Sequence, residues 1–135
     1  MSIEQVIHRE WTSCHDLCEL APAERFFTGQ AADDSAWPYV TLEQPGPTRN
    51  EHTSSATRIE IVPLRFNVWD QRLDRAQQLA DRITARFDRR GFESDNERVL
   101  DLRLEAAVQQ QQPDGVWRVS VDLVARLSRP ALSLR

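Results

Sequence analysis

The apolar and polar residues keep their longest regular pattern between Thr57 and Gly91, where the period changes once. In Thr57-Arg-Ile-Glu-Ile-Val-Pro-Leu-Arg-Phe-Asn-Val-Trp69, Ile59 and Ile61 alternate in one phase and Leu64, Phe66 and Val68 in the other. This is the two-residue period of a half-buried strand, with one slip at Val62-Pro63. A one-residue slip turns side chains to the opposite face, so the pattern predicts an inserted residue there. Pro63 has no N–H for a ladder and suits a bulge or an edge. Asp70 stops the strand, and its carboxylate can accept from the first N–H groups of a helix. Leu73, Ala76, Leu79, Ala80, Ile83 and Phe87 then recur at helical spacing, with Gly91 as the expected C-terminal cap.

Upstream, Ser2 and Gln5 have the spacing of a capping box. Ile3, Val6, Ile7, Trp11, Cys14, Leu17 and Cys18 fall on one face over four turns, and Pro22 marks the end, which predicts a core helix. Ala21 to Ala36 reads as irregular, with Phe26 and Phe27 as anchors and Gly29 and Asp33-Asp34-Ser35 as turn residues. Trp37-Pro-Tyr-Val-Thr-Leu42 reads as a short strand whose proline suits its first position or an edge. Gln44 to Ser55 carries Pro45, Gly46, Pro47 and Asn50 with hardly any apolar residue, and is expected to be a mobile loop.

The C-terminal third alternates twice. Leu100, Leu102, Leu104, Ala106 and Val108 share one face, against Asp101, Arg103 and Glu105 on the other. Trp117, Val119, Val121, Leu123, Ala125 and Leu127 share the inward face of the next run, and Pro113-Asp-Gly between the runs is a turn signal. A long antiparallel hairpin follows, and if Val108 lies opposite Trp117, Arg103 faces Asp122. Such strands exceed the usual five or six residues, so the hairpin should reach past the helices and leave Ala106, Val108, Val116 and Trp117 without intramolecular cover. The expected architecture is a single α+β domain over residues 1–135, ordered α-β-β-α-β-β. Its four-stranded antiparallel sheet carries both main helices on one face, and residues 128–135 form a short tail.

Composition narrows the function classes. A chain of 135 residues and 15.6 kDa is one domain with room for a self-sufficient core. The formal charge is −4, and the 17 basic residues are scattered, so a nucleic-acid partner is not expected. No apolar run has the length of a membrane span or signal peptide, and the expected location is the cytoplasm. Cys14 and Cys18 are too close in sequence to close a useful loop and read as reduced thiols. With His15 they make a start towards a zinc site, but His15 points about 100° away from Cys14 and no second ligand pair follows. Asp33 and Asp34 read as solvated, and His8 and His52 have no visible nucleophile to activate. Four glycines form no phosphate loop. No metal, cofactor or catalytic residue is expected. A small cytosolic enzyme or ligand-binding protein using Cys14, His15 or the 44–55 loop is one alternative, and a host oligomeric adaptor is another.

Trp37-Pro-Tyr-Val40, Arg65-Phe-Asn-Val-Trp69 and the Ala- and Leu-containing helix from Ala76 to Phe87 carry a family resemblance. Together, in this order and over roughly residues 3 to 127, they resemble the phage tail-completion, or tail-terminator-like, proteins. The resemblance implies a structural assembly subunit of a phage, prophage or phage-derived particle. It also implies rings, typically hexamers, that close a tail tube and meet a head connector. The expected partners are other copies of the chain and tail-tube or connector proteins. The candidate contact residues are Arg49, Asn50, Glu51 and His52 in the polar loop, with Ala106, Val108, Val116 and Trp117 at the hairpin.

Overall fold

The computed structural model describes residues 2–31, 36–52, 57–93 and 98–130. Helix α1 (Ile3–Ser13) and helix α2 (His15–Leu20) lead through a short 3-10 turn, Ala23–Arg25, into β1 (Phe26–Thr28). There follow β2 (Tyr39–Glu43), β3 (Arg49–His52), β4 (Thr57–Asp70), α3 (Leu73–Phe87), β5 (Phe92–Glu93), β6 (Arg98–Gln111) and β7 (Trp117–Pro130).

The strands form one seven-stranded sheet in the order β1-β2-β4-β7-β6-β5, with β3 also on β4. β1 runs parallel to β2 and every other pairing is antiparallel, so the sheet is mixed, and it curls into a half-barrel. This corrects the expected four-stranded antiparallel sheet. β1, β3 and β5, of two to four residues, are too short to show a period, and they form because the chain there runs beside an unpaired edge. β2 pairs with Arg65 to Trp69 and β3 with Arg58 to Ile61, so the two follow one another along the same side of β4. Part of the stretch expected to be an irregular loop, Arg49–His52, is therefore a strand. Residues 53–55 of it lie outside the described residues, as do Asp33, Asp34 and residues 131–135.

β4 crosses the whole sheet without a bulge. Its register with β7 runs unbroken from Thr57↔Pro130 to Asp70↔Trp117. The phase slip at Val62-Pro63 is resolved by a change of face. Val62, Leu64, Phe66 and Val68 point to the helix side and are buried in the main core, whereas Ile59, also buried, lies on the opposite face outside that core. No residue had to be inserted, because strand β3 supplies cover beside Ile59, which lies opposite Glu51.

The irregularities lie in β6 instead. Its register with β7 shifts between Val99 and Asp101 and again between Leu104 and Ala106, leaving Leu100 and Glu105 as bulged residues. Leu102 and Leu104 consequently face Ala125 and Leu123 on the helix side. After the second bulge, Ala106 and Val108 lie opposite Asp122 and Ser120, on the other face. The single apolar face expected from Leu100 to Val108 is thus split. Val108 pairs with Ser120 and not with Trp117, whose partner is Gln111, and Arg103 faces Val124 and not Asp122.

The core lies between the sheet and the three helices. Trp11 of α1, Phe26, Phe66 and Phe87 pack as a chain of rings, with centroids 4.4 Å apart edge-to-face for Trp11–Phe26, 6.0 Å and tilted for Phe26–Phe66, and 5.3 Å and stacked for Phe66–Phe87. Each buried side chain of this size contributes about 1.5–3 kcal/mol by leaving water. The Ser2–Gln5 capping box forms as the spacing suggests. The expected continuous N-terminal helix is broken at Cys14, whose extended backbone ends α1 and starts α2. Both halves still bury the same stripe, from Ile3 to Leu17. Helix α3 ends earlier than Gly91: Asp88 is its cap, and Arg89 takes the left-handed conformation at φ 62°. Gly91 serves another purpose, because a Cβ there would lie 2.7 Å from the Leu100 carbonyl oxygen.

Candidate assembly interface

The β6–β7 hairpin ends in the turn that the Pro-Asp-Gly signal predicts. Gly115 at φ 88° donates its N–H to the Gln112 carbonyl at 2.9 Å, and the Asp114 carboxylate accepts the Val116 N–H at 3.1 Å. From Arg103 to Gln111 the side chains of β6 are exposed, with Val108 at 58% and Leu104 at 39% the large exposed apolar residues. Behind this strand a groove of about 540 Å³ runs between the hairpin and α3, lined by Gln77, Asp81, Thr84, Ala107, Val108 and Gln109 among others. A hydrogen bond from the Gln77 side-chain Nε2 to the Gln109 side-chain Oε1, 2.5 Å, reaches from the helix to the strand.

The other half of the candidate set sits elsewhere. Arg49, Asn50 and Glu51 are exposed on β3, and the His52 backbone continues that strand. β4 and β7 stand between β3 and β6, so the sequence-predicted contact residues occupy opposite edges of one sheet and form no single patch. Trp117 and Val116 are half-buried. Trp117 lies opposite Asp70 on one side and Gln111 on the other, which gives it more intramolecular cover than the pattern suggests.

The face of the sheet away from the helices carries a group of residues that the alternation hid. Trp37 stacks on Tyr39 at 5.2 Å, Tyr39 on Trp69 at 6.1 Å, and the Arg118 guanidinium lies 5.8 Å from the Trp69 ring centre. Arg118 in turn donates to the Gln110 side-chain oxygen at 2.7 Å, and the Trp69 indole donates to the Thr41 hydroxyl at 3.1 Å. Burial, with Asp114 as a weaker cause, pushes the Tyr39 phenol above its ordinary value. Tyr39 and Trp69 occupy the polar phase of their strands, and that was the available signal.

Chemistry is sparse. His15 is almost fully exposed and lies 3.9 Å from Glu19, whereas Cys14 is buried and the Cys18 thiol donates to the Trp11 carbonyl at 3.2 Å. Burial and the neighbouring Cys14 raise the Cys18 thiol above its usual value, which lowers its reactivity. The His8 ring packs on Phe26 at 5.2 Å. Among the described residues no three His, Cys, Asp or Glu side chains are placed to hold a metal ion. No helix of the described residues is long and apolar enough to cross a membrane.

Comparison with known proteins places this geometry. A chain of a solved structure described as the virion of a native gene transfer agent particle superposes with a TM-score of 0.77 at 13% identity, covering 94% of this chain and 95% of that one. A second solved chain matches over 100% of this chain and 99% of its own length, with a TM-score of 0.56 at 16% identity. At such identities these likenesses establish the fold alone. No curated protein sequence is significantly similar. The model of the family described as tail completion protein gp17 matches residues 11–128, which takes in every strand described above except the last residues of β7. The chain belongs to the tail completion protein gp17 family, structural proteins of phage tails.

Proposed function

We propose that this protein completes a tail by sitting, as a homo-oligomeric ring, on the end of the tail tube where it meets a head connector. Assembly would occur in the host cytoplasm before incorporation into the particle. The observation that carries this reading is the pair of exposed sheet edges, β3 with Arg49, Asn50 and Glu51 and the β6 end of the hairpin with Ala106 and Val108, on a subunit of a tail-completion family. Two different surfaces on opposite sides of one subunit are what a head-to-tail ring contact requires, since such a contact closes only when unlike patches meet. The half-exposed aromatic face around Trp69 and the half-buried Val116 and Trp117 remain for the tube or connector, where aromatic side chains supply most contact energy.

The test is assembly of particles lacking this subunit. Electron microscopy should then show heads and tails apart, with joining restored by the wild-type protein and not by the double charge reversal Arg49→Glu, Glu51→Arg. Joined particles of normal tail length in its absence would remove the proposal.

A further inference from the structure

The turn between α3 and β5 carries an arginine that local geometry does not call for. Arg89 sits in the left-handed conformation at φ 62°, where glycine or asparagine meets less strain, so its side chain and not its backbone gives a reason for arginine there. The helix dipole gives none, because Asp88 has already capped α3 and Arg86 fills its last turn, held by Glu10 at 2.7 Å. Arg89 is exposed, and among the described residues its guanidinium has no ion pair or hydrogen bond. Only its backbone N–H is used, donating to the Leu102 carbonyl at 2.6 Å.

Arg89 lines a cavity of about 670 Å³ together with Asp88, Asp101, Arg103 and Leu104. Both carboxylates are already engaged. Asp88 accepts the Leu104 N–H at 2.8 Å, and one oxygen of Asp101 is shared by Arg103 at 3.4 Å and Arg126 at 3.6 Å. The cavity therefore keeps positive charge without a counter-charge, in a chain whose formal charge is −4. Leu104, one of the large exposed apolar residues, adds an uncovered apolar wall.

We infer that this cavity binds a glutamate or aspartate next to an apolar residue in a segment of another protein, the carboxylate on the Arg89 guanidinium and the apolar side chain on Leu104. A planar guanidinium takes a carboxylate through two parallel N–H donors. Charge complementarity decides between the anionic occupants. A nucleic-acid backbone, with one charge per about 1.7 Å of duplex, would press further phosphates on Asp88 and Asp101. A peptide brings a single carboxylate to Arg89 and lays neutral backbone past the two aspartates. The site uses none of the residues placed in the ring contact or the aromatic face, and either reading can fail alone.

The experiment titrates the full, isotope-labelled chain with acetyl-Glu-Leu-Glu-amide and, as the neutral control, with acetyl-Gln-Leu-Gln-amide, following backbone amide resonances. Shifts at Arg89, Arg103 and Leu104 should saturate with the acidic peptide, and the neutral one should bind at least about threefold more weakly. Arg89→Gly should lose this preference without lowering the thermal midpoint, since glycine suits φ 62° better than arginine does. Equal binding of the two peptides, or a preference retained in Arg89→Gly, would overturn the inference. So would a DNA duplex or inorganic phosphate that shifts these amides at lower concentration than the peptide. A concentration-dependent shift of the same amides in the protein alone would also overturn it, by putting a second copy in the cavity.

Discussion

The Arg65 guanidinium holds the Asp122 carboxylate across β4 and β7 through two hydrogen bonds, Nε to Oδ1 at 2.7 Å and a terminal nitrogen to Oδ2 at 3.3 Å. Arg65 lies directly opposite Asp122 in the β4–β7 register, whereas Arg103 of β6 lies opposite Val124, with Asp101 as its 3.4 Å partner. The Asp122 carboxylate is the largest cause holding the Arg65 pKa above its usual value. Both side chains are about a third exposed, at 35% and 28%, so solvent screens the pair. Asp122→Asn should therefore cost about 0.5–1.5 kcal/mol, below what a fully buried pair would lose. Arg103→Ala should change stability by less than about 0.5 kcal/mol. Urea midpoints of the two variants check this, and equal losses would mean that Arg103 reaches Asp122 after all.

Asp70 is fully buried and ties the end of β4 to the start of α3. Its carboxylate accepts the Arg72 N–H at 3.2 Å and two hydrogen bonds from Arg75 at 2.5 and 2.7 Å. Asp70→Ala leaves Arg75 without its partner, and because Arg75 is 36% exposed the loss should be about 1–3 kcal/mol and not the larger figure for a sealed pair. The urea midpoint should fall with the slope unchanged. An unchanged midpoint would show that the helix start is held by packing alone.

Gly91 and Gly115 make a contrasting pair. Gly91→Ala would press a methyl group against the Leu100 and Val99 carbonyl oxygens, at 2.7 and 3.0 Å, and should cost about 1–3 kcal/mol through a displaced backbone. Gly115→Ala meets no atom within 4 Å and suffers only from its left-handed conformation at φ 88°, about 1 kcal/mol. Thermal melting of the two proteins should rank them in that order.

Cys14 and Cys18 are expected to act as packing groups. Their joint change to Ala should cost about 1–2 kcal/mol from lost core volume, with no metal released from the purified protein. Iodoacetamide should modify Cys18 slowly at neutral pH, since its thiolate is scarce. Stoichiometric zinc by elemental analysis, lost in the double variant, would contradict this.

Hydrogen exchange tests the polar stretch from Gln44 to Ser55. Strand β3 has four residues and one neighbour, so its N–H groups facing β4 should be weakly protected while Gln44 to Thr48 exchange freely. Protection of β3 equal to that of central β4 would mean a firmly docked strand and a rigid edge.

The residue pattern by itself determined the long elements: β4 through Leu64, Phe66 and Val68, α3 through Ala76, Leu79, Ile83 and Phe87, the Ser2 cap, and the turn at Asp114-Gly115. Each is a local property, repeated often enough along the chain to be unambiguous. Tertiary structure decided the rest. β1 and β3 exist because neighbouring strands offer unpaired backbone, which no property of Phe26–Thr28 or Arg49–His52 announces. The face of Ile59 was set by cover from β3, and that of Val108 by a bulge at Glu105 whose insertion leaves the alternation of Leu104, Ala106 and Val108 intact on paper. The candidate contact residues were legible as exposed or polar positions, but their division between two opposite edges was not. Distance across a sheet is counted in strands, and strand order follows from long-range pairing that local pattern does not encode.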